Sequence, residues 1–119
     1  MTYREPVAAT HLDPTIEGEP MPWSRVRDQL DAGALAEAAC FIGTVRPDGR
    51  PHAARVGAAW CDGSVFFQTG EQTRKARNLA ANPACTAAVS LPGVDVVIEG
   101  VAEPVTDAPT LEAVAAVWR

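Results

Sequence analysis

Phe66-Phe67-Gln68-Thr69-Gly70-Glu71-Gln72-Thr73-Arg74-Lys75-Ala76-Arg77-Asn78-Leu79-Ala80-Ala81-Asn82-Pro83 is the stretch from which the fold is read. An apolar strand breaks at Gly70, a Thr73-Arg74-Lys75 step opens a helix, and Pro83 closes it. A helix start carries unpaired N–H groups and the positive end of the backbone dipole, a setting that suits a bound anion. Thr73 adds a hydroxyl, Arg74 a planar charged fork and Lys75 a flexible ammonium. Cations at a helix start run against the usual preference for acids there, and that mismatch favours an anion supplied from outside the chain. Thr73 is also the natural N-cap, a role that does not conflict with the first. Ala76, Leu79 and Ala80 give this helix a thin apolar face, which suits lying across one end of a barrel.

Working outward, the sequence predicts strands on both sides of that helix. Ala39 to Val45 reads as a strand and Pro51 to Trp60 as its return, joined by Arg46-Pro47-Asp48-Gly49-Arg50 with its Asp-Gly hairpin signal. A second Asp-Gly turn at Asp62-Gly63 leads into Ser64 to Thr69, completing a three-strand meander. After the helix come Ala84 to Leu91, a Pro92-Gly93 turn, and Val94 to Val105 with Gly100 as a bend or bulge. Ahead of the strands, Ser24 is the candidate cap of a short helix that buries Val26 and Leu30 and ends near Gly33. Asp107 is placed to cap a last helix with Leu111, Val114, Ala115 and Trp118 on one stripe. That helix reaches Arg119 with no C-cap, so the sequence looks cut short. Residues 1–22, with several acids and prolines, read as an arm preceding one domain over 23–119. Five strands in hairpin order with peripheral helices predict a mainly β fold, a small antiparallel barrel.

Composition narrows the function classes. A chain of 119 residues holds one core, and pairing with a second copy would cover apolar surface that one copy leaves bare. The net charge of −5 opposes broad nucleic-acid binding, although a single small anion needs only two or three local cations. Cys40, Cys61 and Cys85 form no C-x-x-C pair and read as reduced thiols, buried or half-buried. No signal-peptide core and no run of apolar residues long enough for a membrane appears, so the sequence predicts a soluble, cytoplasmic protein. No Ser-His-Asp, paired-carboxylate or Cys-His set stands out, and neither His52 nor His11 has a metal-ligating neighbour.

In the order strand, Pro-Asp-Gly-Arg-Pro turn, strand with Arg55, Asp-Gly turn, Phe-Phe strand, Thr-Arg-Lys-Ala-Arg-Asn-Leu helix, Asn-Pro, and then Val97 to Glu103, the chain resembles the pyridoxamine 5′-phosphate oxidase-like, FMN-binding split β-barrel family over roughly residues 24–118. The resemblance implies a homodimer with FMN, or in one branch the deazaflavin coenzyme F-420, in a groove between subunits. Arg55, with Val56 beside it, matches the family's phosphate-contacting strand position. Phe67, Gln68 and Thr69 match the strand edge that borders the flavin ring, and Thr73, Arg74 and Lys75 match the phosphate-gripping step.

The family pattern is departed from at Trp60, which stands where the oxidases proper carry a second basic residue. Nothing after Arg119 supplies their C-terminal substrate-phosphate motif, so vitamin B6 oxidation is not expected, and the further strand usual in the family after the last helix is either absent or supplied by residues outside this sequence. The resemblance therefore implies hydride transfer between F-420 or FMN and a small unsaturated or aromatic substrate, with no catalytic side chain, no metal, no nucleic acid and no membrane. The alternative is a non-catalytic binder of a flavin, haem or tetrapyrrole; a third reading is a dimeric scaffold. Arg77, on another helix face, reads as a solvated charge, and Trp60 as a core or interface residue.

Overall fold

The computed structural model describes residues 8–12, 15, 18–19 and 21–117. Trp118, Arg119 and most of the acids and prolines of the 1–22 arm lie outside them. Within the arm, Met21 packs against the core, and Nε2 of His11 lies 3.0 Å from the Gly18 carbonyl.

Helix α1 (Trp23–Asp31) buries Val26 and Leu30, as their spacing predicts. Ser24 is not its cap: Pro22 holds the N-cap position with extended backbone, and no side chain caps the helix. Trp23 packs on the core and starts the helix two residues earlier than a Ser24 cap would. At Gly33 the backbone turns left-handed, with φ of 93°, a conformation that glycine adopts without penalty. A short helix not foreseen in the sequence, α2 (Ala34–Glu37), follows and buries Leu35.

Strands β1 (Cys40–Val45) and β2 (Pro51–Val56) form the hairpin expected around Asp48-Gly49, with Gly49 at φ of 89°. The return strand is shorter than the sequence suggested. Val56 pairs with Cys40, the first residue of β1, so the ladder has no further partner for the returning chain. It leaves at Gly57 and pairs instead as β3 (Ala58–Cys61) with β4 (Ser64–Phe67). The expected meander is therefore two hairpins in two sheets, and the fold has six strands where five were counted.

Helix α3 (Arg74–Ala81) packs against β1 and β2. Strands β5 (Ala84–Leu91) and β6 (Val94–Val101) complete a four-stranded antiparallel sheet in the order β2-β1-β5-β6. The β6 ladder stops four residues short of Val105, because β5 begins at Ala84, opposite Val101. Beyond it only the Pro83 carbonyl remains, and the Ala102 N–H donates to it at 2.9 Å. Gly100 pairs one-to-one with Cys85 and is no bulge. Helix α4 (Ala108–Val117) packs on β3 through buried Val114, with Leu111 and Ala115 exposed, so the stripe read in the sequence is only partly used.

The core lies between the inner face of the larger sheet and α1, α2 and the β3–β4 hairpin. Its centre is Leu30, Leu35, Cys40, Ile42, Val56 and Ala58. Burial of Leu30, Leu35, Ile42 and Val56 contributes about 1.5–3 kcal/mol each, which makes this cluster the main stabilising element. Trp23 and Trp60 meet edge to face at 6.3 Å on its margin.

Candidate functional site

The chemistry concentrates where β4 hands over to α3. Thr73 caps the helix, its Oγ1 accepting from the Ala76 N–H at 3.3 Å. The same hydroxyl donates to the Gly70 carbonyl at 2.8 Å, so the hydroxyl contact at 2.8 Å has Thr69 as its donor. With its one proton on Gly70, Thr73 shapes the loop and the helix start and has no further donor for a ligand. The Thr73 N–H also donates to Gly70 and the Arg77 N–H to the Thr73 carbonyl, at 3.1 Å each. Among the described residues the N–H groups of Arg74 and Lys75 make no backbone hydrogen bond. These are the open donors of the helix start, and both side chains there are half-buried.

Arg74 also reaches a neighbouring element. It lines a cleft of about 260 Å³ together with Arg46, Pro47, Asp48 and Arg50 of the β1–β2 turn. Arg50 Nε lies 2.8 Å from Asp48 Oδ2, and the Arg50 N–H donates to Asp48 Oδ1 at 3.1 Å. The Arg50 backbone, then its guanidinium, hold the Asp48 carboxyl below the usual carboxylate range, and the Arg46 charge acts in the same direction. Sequence reasoning passed over Arg46 and Arg50 because charges flanking a Pro-Asp-Gly turn are ordinarily solvated. The signal available was a basic residue on each side of that turn.

Beneath α3 lies a residue that sequence reasoning also missed. Asn78 is fully buried, where Ala76, Leu79 and Ala80 were expected to face the core; Leu79 is half-buried and Ala80 exposed. Asn78 Nδ2 donates to Thr44 Oγ1 at 3.0 Å, and its Oδ1 has no partner among the described residues. Thr44 follows Cys40 and Ile42 on the inward parity of β1, which is the signal that could have found it. His52 pairs with Thr44, so it shares this face; its Nδ1 is buried and unpartnered among the described residues.

The remaining sequence candidates are spread. Phe67 pairs with Ala58 and packs on the core, while Gln68 is exposed and Thr69 half-buried in the loop before α3. Val56 is a core side chain, which leaves only its backbone for a ligand. Arg55 pairs with Phe41 and has opposite parity to His52, so it lies on the outer face of the sheet while α3 covers the inner one. Within one copy of the chain it does not join Arg74 and Lys75. Trp60 donates from Nε1 to Asp31 Oδ1 at 2.8 Å and packs on the core, in keeping with its reading as a core residue.

Burial pushes the thiols of Cys40, Cys85 and Cys61 up, with the Asp62 charge adding to the effect at Cys61, so none has thiolate character near neutral pH. Among the described residues no group of three side chains could hold a metal ion, and no helix is long and apolar enough to cross a membrane. A cleft of about 310 Å³ at the α1–α2 junction is lined by Gln29, Ala32, Gly33, Ala34 and Glu37 and offers no cation.

Comparison with known proteins agrees with this architecture. An F-420 reductase shares the fold at a TM-score of 0.59 and 24% identity, over 74% of this chain and 75% of that one. A conserved hypothetical protein from Mycobacterium tuberculosis aligns at 0.68 and 27% identity, over 83% of this chain and 63% of that one. A haem-binding protein from Mycobacterium smegmatis aligns at 0.61 and 24% identity, over 73% of this chain and 40% of that one. No curated protein sequence matches the chain. The family model described as pyridoxamine 5′-phosphate oxidase matches residues 26–119, the whole run from the buried face of α1 through the last helix. By that match, and by its two antiparallel sheets with peripheral helices, the chain belongs to the pyridoxamine 5′-phosphate oxidase family of split β-barrels.

Proposed function

We propose that the protein is an oxidoreductase that binds a phosphorylated flavin-type cofactor, F-420 in preference to FMN, and serves hydride transfer to a small unsaturated or aromatic substrate. One observation carries this reading: in a chain of net charge −5, half-buried Arg74 and Lys75 flank the open N–H groups at the start of α3. That donor set fits a phosphate. When bound, the cofactor supplies the hydride chemistry, so the protein needs no nucleophile, in line with its raised thiols. The chain's own part is to hold the phosphate, to present the loop Gln68–Thr69 beside it, and to keep that loop rigid through the Thr69–Thr73–Gly70 hydrogen bonds.

The same reading makes the protein a homodimer. The outer face of the four-stranded sheet carries the row Arg55, Phe41, Ala88 and Val97, with Val101 nearby, and Phe41, Val97 and Val101 are exposed. A second copy over this face would bury those apolar groups and bring Arg55 into a groove between subunits. F-420 is favoured over FMN by Trp60, a core residue in place of a basic one, and by the arginines beside Arg74, which tolerate a longer anionic cofactor. Non-catalytic binding of a flavin, haem or tetrapyrrole is the second reading, supported by the shared fold of the haem-binding protein.

Titration distinguishes these readings. Quenching of F-420 fluorescence at micromolar protein, without competition by FMN, is the expected result. Tight FMN binding with no F-420 response would move the cofactor to FMN, and a Soret band on haem addition alone would replace the oxidoreductase reading.

A further inference from the structure

Three polar side chains from three elements gather under α3, on the inner face of the β1–β2 hairpin. Asn78 is fully buried, and its Nδ2 donates to Thr44 Oγ1 at 3.0 Å. Thr44 is buried too, and the proton of its hydroxyl has no acceptor among the described residues. His52 is the partner of Thr44 across the ladder, so the two side chains stand on one face with Cβ atoms about 5 Å apart. Helix α3 packs over both strands and closes the space above them.

Buried polar atoms are nearly always bonded, either to protein or to ordered water. Three buried side-chain atoms among the described residues have no partner, and two of them are in this one place: Asn78 Oδ1 and His52 Nδ1. The third, Trp23 Nε1, belongs to α1. Asn78 Oδ1 and His52 Nδ1 do not bond each other directly, and polar atoms that face one another beyond direct reach are the usual setting for a bridging water.

The chemistry of the three groups narrows the guest. Asn78 Oδ1 can only accept, the Thr44 proton can only be donated, and an imidazole nitrogen does either. One water can donate to Asn78 Oδ1, accept from the Thr44 hydroxyl and make its third bond to His52 Nδ1. That gives it about three hydrogen bonds, the number usual for a buried water. A metal ion is a poor guest, since no group of metal-ligating side chains forms among the described residues. An anion would meet the Asn78 oxygen, and an apolar guest would leave every one of these groups unanswered.

We infer that Asn78, Thr44 and His52 form a binding site for one ordered water that ties α3 to both strands of the hairpin. The direct Asn78–Thr44 bond joins the helix only to β1. The water adds β2, which is the edge strand of the larger sheet and has a ladder on one side alone. Asn78 follows Arg74 by four residues and so lies on the same side of the helix, one turn further on. The tie is independent of which cofactor, if any, the protein binds.

The test is a crystal structure of the full chain at a resolution that shows ordered water, beside the variant Thr44→Val/Asn78→Leu. In the wild type a single water should lie about 2.7–3.2 Å from both Asn78 Oδ1 and His52 Nδ1. In the variant His52 is the one polar partner left, and the water should be gone. A wild type in which His52 bonds Asn78 directly, with no water between them, would overturn the inference. A water that keeps its place in the variant would overturn it as well. Should the variant fail to fold, solution NMR of the wild type decides: the Asn78 side-chain amide protons should show cross-relaxation to a long-lived water, and contacts of the short-lived, surface kind alone would contradict the site.

Discussion

At the scale of single residues, Asn78 is the one whose chemistry is least like its setting. It is fully buried, bonded to Thr44 across two elements, and half unsatisfied among the described residues. Removing one member of a buried polar pair costs about 1–3 kcal/mol, while replacing both by apolar groups is close to neutral. Asn78→Leu should therefore lower stability by about that amount, and adding Thr44→Val should recover most of it, read as urea midpoints. Recovery would fail if Asn78 acted elsewhere. Asp107 makes a second prediction. Hydrogen bonding from the side chain and then the backbone of Thr110 holds its carboxyl below the ordinary range, with the Thr110 N–H at 3.0 Å from Oδ2. A depressed carboxylate contributes stability above its unfolded value and loses it as pH falls through the folded one. The helix signal from α4 should hold steady above about pH 4 and weaken below it, and Asp107→Asn should remove that acid response. The two caps, Thr73 and Asp107, were legible because a cap is local, a side chain and the N–H three residues on. The Asn78–Thr44 pair was not, since its members are 34 residues apart and meet only when α3 docks on β1.

Among elements, β1 carries the larger sheet, pairing β2 on one side and β5 on the other. Gly43 sits in its middle opposite Thr86, and a Cβ there would run into the Thr86 hydroxyl. Gly43→Ala should cost about 1–3 kcal/mol, and Thr86→Ala in the same chain should relieve most of it. An unchanged midpoint in Gly43→Ala would mean that the Thr86 side chain turns aside without cost. The order of elements, both Asp-Gly hairpins and the helix at Thr73 were all readable, because periodicity and turn chemistry are set within a few residues. The split at Gly57 was not. Its cause is the length of β1, which offers no partner beyond Cys40, and no local signal reports where a neighbouring strand ends. For the same reason β6 was read too long: its end is set by where β5 begins.

Taken whole, the molecule presents an outer sheet face on which Phe41 is 46% exposed and Val101 66%. Dimerisation through that face predicts twice the monomer mass by light scattering at micromolar concentration. Val97→Lys, which places a charge in the apolar row, should shift the protein toward monomer; a wild type that stays monomeric with cofactor bound would rule the dimer out. The sequence carried the family and the placing of Arg74 and Lys75 at the start of α3, which are properties of contiguous motifs. It did not carry the relation of Arg55 to that helix, which depends on strand parity and places the two on opposite faces of one sheet. The central claim concerns the start of α3. Its most direct test is the dissociation constant of the phosphorylated cofactor for the wild type and for Arg74→Ala/Lys75→Ala, with unfolding midpoints matched. Each charge-assisted hydrogen bond to phosphate is worth about 1.5–3 kcal/mol, so the account predicts a loss of roughly 100-fold or more. Equal affinity in the two proteins would contradict it.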